Sequence, residues 1–181
     1  SLNNIGSIFY NQLQYDSAQH YLEQSLPIYE KKRKDYQIKL AVTLLNLGQL
    51  HKILGQYQKS VDYRRRAHAL HQANEPTLSV QAFQNFVLIG EAFYFLNQVD
   101  SASYYLMQTE KLLQAGNFND REKILAYDAV ARSFYYTQDY DRAIEYMQKT
   151  RALLLQDTQR SKDIARNAMA IGTSYSVKNQ P

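Results

Sequence analysis

Apolar and small residues return along this chain in a pattern that repeats every 41–42 positions. The small residue at the centre of each copy is Gly6, Gly48, Gly90, Ala131 and Gly172. With each taken as an origin, position −4 holds Leu2, Leu44, Phe86, Tyr127 and Ala168. Position −1 holds Ile5, Leu47, Ile89, Val130 and Ile171, and position +3 holds Phe9, His51, Phe93, Phe134 and Tyr175. Steps of three and four place these residues on one face of an α-helix. The polar or glycine-containing segments Gln12–Gln14, Gly55–Gln56, Asn97–Gln98 and Gln138–Asp139 then predict a short turn. A second stripe follows: Tyr15, Tyr57, Val99 and Tyr140 at +9, and the small residues Ala18, Ser60, Ala102 and Ala143 at +12. It continues through Tyr21, Tyr63, Tyr105 and Tyr146 at +15 and the small residues Ser25, Ala67, Thr109 and Thr150 at +19. Leu22, Leu106 and Met147 extend that stripe into a second amphipathic helix.

The expected unit is therefore an antiparallel helix pair. Small residues on both helices let the axes approach, and large residues at the stripe edges fill the space towards the next pair. The recurring tyrosine is expected to bury its ring in the seam and leave its hydroxyl at the rim. Self-similarity at this period marks a solenoid, so the fold class is all-α. The units run 1–40, 41–82, 83–123, 124–164 and a partial 165–181, four pairs plus a fifth first helix in a single array over 1–181. Asn74-Glu75-Pro76 and Gly116-Asn117 read as breaks between units. Pro27 falls inside the second helix of the first unit and predicts a kink or irregularity there. Neither end carries the polar outer face of a capping repeat, so the array is expected to be part of a longer protein. Its uncapped ends could join copies into a homo-oligomer.

Composition agrees with helices, since 181 residues hold only six Gly and three Pro. The chain has no Cys, which removes disulfides and thiolate metal sites. It has no apolar run long enough for a membrane span and no secretory leader. The reading is a cytoplasmic protein, with a periplasmic sensor domain as the alternative. The net charge of +4 is uneven: residues 1–76 hold ten Lys and Arg against six acids, residues 77–181 eleven against eleven. Lys31, Lys32, Arg33 and Lys34 sit at a predicted helix end, where cations complement the dipole. Arg64, Arg65 and Arg66 add to the surplus, and nucleic-acid binding by this basic half stays open as a lesser reading. His68 and His71 share a helix face, yet no third ligand accompanies them, so no metal is implied. No nucleophile–base set, phosphate loop or catalytic carboxylate pair is visible, so no enzyme and no cofactor are expected. Arg64 stands where other units have Leu22, Leu106 and Met147, which predicts either an altered seam or a side chain snorkelling outwards.

The Ile/Leu-Gly pair, the aromatic three later, the tyrosine nine later and the small residues at twelve and nineteen resemble the tetratricopeptide repeat. That repeat commonly has a 34-residue period, so 41–42 implies second helices or linkers longer by about two turns. The long form resembles kinesin light chains and the repeat domains of bacterial peptide-responsive regulators. LNNIG followed by QYDSA is also similar to sensory arrays attached to histidine kinases and transcription factors. The resemblance implies a right-handed superhelix and a scaffold that binds protein or peptide on its concave face, within a signalling or regulatory protein.

It further implies that first helices line that face. The residues so placed are Asn4, Ser7, Tyr10 and Asn11, then Asn46, Gln49, Lys52 and Ile53. The third and fourth units supply Leu88, Glu91, Tyr94 and Phe95, then Ala129, Arg132, Tyr135 and Tyr136. Asn4 and Asn46 match the asparagine with which related arrays hold a peptide main chain; alternatively, they tie neighbouring helices together. Leu88 and Ala129 break that ladder. Glu91 and Arg132 occupy equivalent places and can pair across helices. The carboxylate-gripping version of the fold needs cations where this chain has Asn3, Ser7, Asn46, Gln84 and Leu88, so that activity is not expected. A structural module whose groove is filled by its own parent chain remains the alternative to a binding scaffold.

Overall fold

The computed structural model describes residues 1–32, 35–74, 80–116, 118–156 and 161–179. Among them are nine α-helices and no strand. The chain divides into two compact units, Ser1–Thr77 and Leu78–Pro181. The first holds α1 (Leu2–Asn11), α2 (Tyr15–Lys31), α3 (Gln37–Ile53) and α4 (Tyr57–Asn74). The second holds α5 (Val80–Phe95), α6 (Val99–Ala115), α7 (Asp120–Tyr136), α8 (Tyr140–Leu154) and α9 (Ser161–Lys178). In each complete pair the odd-numbered helix packs most extensively on the even-numbered helix after it, as α1 on α2 and α5 on α6. The repeat limits drawn from sequence fall three or four residues inside α3, α5, α7 and α9. The long period is absorbed by long helices of both kinds, because each connection within a pair is only three residues.

Those connections share one backbone solution. The residue seven past each origin is left-handed: Leu13 (φ 60°), Gly55 (71°), Asn97 (57°) and Gln138 (62°). The next residue's N–H reaches back to the carbonyl at +3, from Gln14 to Phe9 (2.9 Å), Gln56 to His51 (2.8 Å), Gln98 to Phe93 (2.9 Å) and Asp139 to Phe134 (3.0 Å). A second bond joins the left-handed residue's own N–H to the carbonyl at +4, as from Asn97 to Tyr94 (2.8 Å). This is the Schellman closure, which satisfies helix-end carbonyls through one αL residue. Gly and Asn adopt that conformation at low cost, whereas leucine pays roughly 1–2 kcal/mol. Leu13 is also exposed, so its side chain offers little packing in return. Leu13→Gly should therefore raise the stability of the Ser1–Thr77 unit by about 1 kcal/mol, read as a higher urea midpoint at unchanged slope.

The seam follows the repeat. Ala18, Ser60, Ala102 and Ala143 are wholly buried, as are Ala67, Thr109 and Thr150. The aromatic at +3 on each first helix stacks on the tyrosine at +15 of the second. Phe9 lies 5.3 Å from Tyr21, His51 5.2 Å from Tyr63, Phe93 5.5 Å from Tyr105 and Phe134 5.8 Å from Tyr146. Offset aromatic pairs at such distances add about 0.5–1.5 kcal/mol beyond their area. Tyr146 departs from the expected rim position: it is buried, and its hydroxyl donates to Glu110 at 2.9 Å. Burial and that bond both push its phenol pKa upwards.

Pro27 lies within α2, which runs through it without a break, so the proline does not end the helix. Arg64 does not snorkel outwards but is buried, its Cγ over Gly48 and its guanidinium donating to Gln49 at 2.8 Å. A buried cation is held by such bonds rather than by solvent. α6 ends at Ala115, with Gly116 extended rather than left-handed. Asn117, Glu75, Pro76, Arg33 and Lys34 lie outside the described residues, as does the side chain of His71.

His51 carries a pH dependence. It is wholly buried where the other units have Phe or Tyr, with Nδ1–H donating to Gln56 Oε1 at 2.8 Å and Nε2 without a partner. Desolvation holds its pKa below the usual 6.5, against the opposing Gln56 bond. The unfolded chain thus takes up a proton near pH 6.5 that the folded one resists. This contribution to stability is present above that pH and is lost as pH falls below it. His51→Phe should flatten the decline of the thermal midpoint between about pH 7.5 and 5.5.

Candidate functional site

In the Ser1–Thr77 unit the predicted face splits into open and occupied positions. Asn4 and Asn11 are exposed, and Tyr10 is half-buried with its ring 6.1 Å from Tyr15. Ser7 donates to the Asn3 carbonyl at 3.0 Å. Asn46 spends its amide N–H groups on α1, donating to Asn3 Oδ1 at 3.3 Å and Ser7 Oγ at 3.2 Å. The Thr43 hydroxyl reaches the same Asn3 oxygen at 3.2 Å. Asn3 is therefore the hub that ties α3 to α1, and Asn46 helps to make that tie. Gln49 accepts from Arg64, Lys52 is half-buried and Ile53 is exposed.

The Leu78–Pro181 unit brings its predicted residues together. Tyr94 and Tyr136 stack with centroids 5.5 Å apart, Phe95 lies 5.6 Å from each of them, and Tyr135 lies 6.5 Å from Tyr136. Phe95 is 43% exposed and the tyrosines are half-buried, so the cluster presents ring surface to solvent. Beside it Arg132 Nε approaches the Glu91 carboxylate at 3.3 Å, the cross-helix pair the repeat register implied. Glu91 is almost wholly buried while Arg132 stays exposed. Leu88 is half-buried and Ala129 buried, so neither offers an amide to a ligand.

A cleft of about 670 Å³ opens from this cluster between α7 and α9, with α8 beneath. Tyr135 and Tyr136 form one wall, and Met147 and Leu154 contribute the floor. α9 packs on α8, which leaves its side towards α7 open. The volume lies within the range of about 300–1,000 Å³ usual for ligand pockets. Arg121, Arg132 and Arg166 share the rim with Asp128 and Asp163, and Arg166 pairs with Asp163 at 3.2 Å. Asp128 is exposed as a residue, yet desolvation is the largest influence on its carboxyl and pushes its pKa up. Thr150, Arg132 and Arg166 pull it back down.

Arg121, Asp128, Arg166 and Asn167 line the cleft without having been singled out by the repeat pattern. Asn167 sits five before the last origin, in the partial unit whose lining the pattern leaves unassigned. Continuing the first-helix register past residue 165 would have placed Ala170 and Thr173 on the cleft, where both lie. Among the described residues no three His, Cys, Asp or Glu side chains gather as a metal site. No described helix is long and apolar enough to cross a membrane. In the basic half, Arg66 pairs with Glu30 and lies over the Tyr63 ring, and Lys39 lies over Tyr36, so part of the charge surplus is engaged within the protein.

Residues 1–73 match the sequence model of the tetratricopeptide repeat. No curated protein matches the chain in sequence. The fold is similar to that of BtubC (BKLC) from P. vanneervenii, with a TM-score of 0.76 at 15% identity over 97% of this chain and 70% of that one. It is also similar to the nearly identical TPR-like repeats of a kinesin light chain candidate from Podosopora anserina. There the TM-score is 0.78 at 16% identity, over 97% of this chain and 84% of that one. A singly substituted form of the same repeats gives the same values. Residues 1–73 are thus similar to the tetratricopeptide repeat in sequence, and the helix pairs that follow repeat the same fold.

Proposed function

We propose that this chain is a non-catalytic scaffold that binds a segment of another protein on its first-helix face, as the interaction part of a larger signalling or regulatory protein. Tetratricopeptide repeats generally mediate protein–protein interaction, and the observation that favours a binding face here is the cluster of Tyr94, Phe95, Tyr135 and Tyr136. Aromatic rings that leave part of their surface in water gain by covering it, and such residues dominate binding hot spots. The +15 tyrosines are already used in the seam, whereas these first-helix aromatics keep ring surface open to a partner.

The test is selection of binders from a displayed library of random segments about 16 residues long, followed by affinity measurement on variants. Tyr94→Ser combined with Tyr136→Ser should weaken the selected segments at least about tenfold. Tyr104→Ser, on the exposed side of α6, should change affinity less than about twofold. Equal losses in the two proteins, or failure to select any segment, would count against the reading. Failure accompanied by binding of a flanking stretch of the parent chain would favour a groove filled from within.

A further inference from the structure

One face of α9 has no helix against it among the described residues. In the four complete pairs the small residue at the origin is buried, at Gly6, Gly48, Gly90 and Ala131. A Cβ on Gly6 would meet Leu22 and the Ala18 carbonyl, and one on Gly90 would meet Ala102, Tyr105 and Leu106. The Ser60 hydroxyl donates to the Gly48 carbonyl at 2.7 Å. Gly172 holds the same place in α9, yet it is exposed, and a Cβ there would find nothing within 4 Å. Tyr175 is 44% exposed, although its equivalents Phe9, His51, Phe93 and Phe134 each stack on a second-helix tyrosine. Ala168 and Ala165 continue the stripe backwards from Gly172, and Met169 beside it is 74% exposed. Steps of three and four put Ala165, Ala168, Gly172 and Tyr175 on one side of the helix. None of them lines the α7/α9 cleft, so this is a second surface.

The covered faces of the other first helices show what fits. Each takes a second helix with a small residue where the axes come closest, a tyrosine three later and a small residue seven later. Short side chains let the backbones approach, and the ring then covers the aromatic across the seam. A second copy of this chain has no such helix to give as folded, because α2, α4, α6 and α8 are each packed on their own first helix.

We propose that this face of α9 binds an amphipathic helix of a partner protein. The helix sets a small residue over Gly172 and, three positions on, an aromatic ring on Tyr175. It continues the seam by one further pair and buries apolar surface that α9 otherwise leaves in water. The surface is separate from the Tyr94–Tyr136 cluster, so this proposal goes beyond the reading of the first-helix face.

The probe is an acetylated, amidated peptide copying residues 98–115, which carries Ala102, Tyr105, Leu106 and Thr109 in the required order. Titrated into the whole chain, it should gain helical circular dichroism and shift the amide resonances of Ala168, Gly172 and Tyr175. Tyr105→Ser in the peptide should weaken binding at least about tenfold, and Ala102→Phe by a similar factor. Gly172→Gln in the chain should abolish binding without lowering the thermal midpoint, since the position is open and glycine is the poorer helix former. The same variant should bind segments selected through Tyr94 and Tyr136 as before, so the two readings fail separately. Binding that persists in Gly172→Gln, or is absent at about 1 mM peptide, would overturn the proposal. Shifts centred on Phe93 would also overturn it, because the peptide would then be replacing the resident α6. Self-association that shifts Gly172 without peptide would assign the face to a second copy. A longer parent protein in which Gly172 is already shifted and the peptide no longer binds would assign it to the parent chain.

Discussion

Phe134→Ala should cost the Leu78–Pro181 unit about 3–5 kcal/mol, the scale for deleting a buried phenyl ring. Phe134 is 2% exposed and belongs to the cluster that includes Val87, Leu106, Val130 and Met147. Its ring stacks on Tyr146, and the Arg142 guanidinium lies 4.3 Å from the ring centre. Removing it leaves a cavity, unstacks the tyrosine and strips the arginine of its platform. The equivalent Phe9→Ala should cost distinctly less, because Phe9 is half-buried though its stack on Tyr21 is geometrically tighter. Urea unfolding followed by tyrosine near-ultraviolet circular dichroism reads both. Equal losses at the two sites would mean that stacking, rather than burial, supplies the energy.

The second large effect is a divergence among equivalent glycines. A Cβ on Gly6 would lie 2.7 Å from Leu22 Cγ, and one on Gly48 would lie 2.8 Å from Arg64 Cγ. Both neighbours are themselves buried, so relief requires the helix pair to part. Overpacking of this kind costs about 1–3 kcal/mol. A Cβ on Gly90 meets nothing closer than 3.5 Å, and the equivalent residue of the next pair is already Ala131. Gly90→Ala should therefore stabilise by up to about 1 kcal/mol through helix propensity alone. Gly6→Ala and Gly48→Ala should lower stability in spite of that same gain. Thermal midpoints of the three single variants decide the matter. A uniform rise would show that the pairs can part at no cost.

The seam was legible because it is repeated along the chain. Small residues at +12 and +19 and a tyrosine at +15 recur in each pair, so a single misleading residue is outvoted. The turn was legible only in part. Gly55 and Asn97 advertise a left-handed residue, while Leu13 and Gln138 adopt the same φ without any such signal. There the hydrogen bonds of the closure override local preference. Arg64 misled for a related reason: a cation at a leucine position suggests a route to solvent, yet Gln49 gives it a partner inside.

The first-helix face was harder to read, because register assigns a side chain to a face without saying what already occupies it. Asn46 and Gln49 lie where the repeat puts them but are engaged by Asn3, Ser7 and Arg64. Tyr94, Phe95, Tyr135 and Tyr136 cluster with one another, which no register argument could show. The cleft beyond them depends on how α9 seats against α8 rather than α7, a tertiary detail with no short-range sequence signature.

If the proposed function is right, a protein segment is recognised by the first helices and not by the second. An amide chemical-shift map of the chain titrated with its tightest selected segment tests this most directly. Shifts are expected on α5, α7 and α9, strongest at Tyr94, Arg132, Tyr136 and Thr173, with the exposed faces of α6 and α8 unmoved. Shifts centred on Tyr104, Met107 and Lys149 would contradict it.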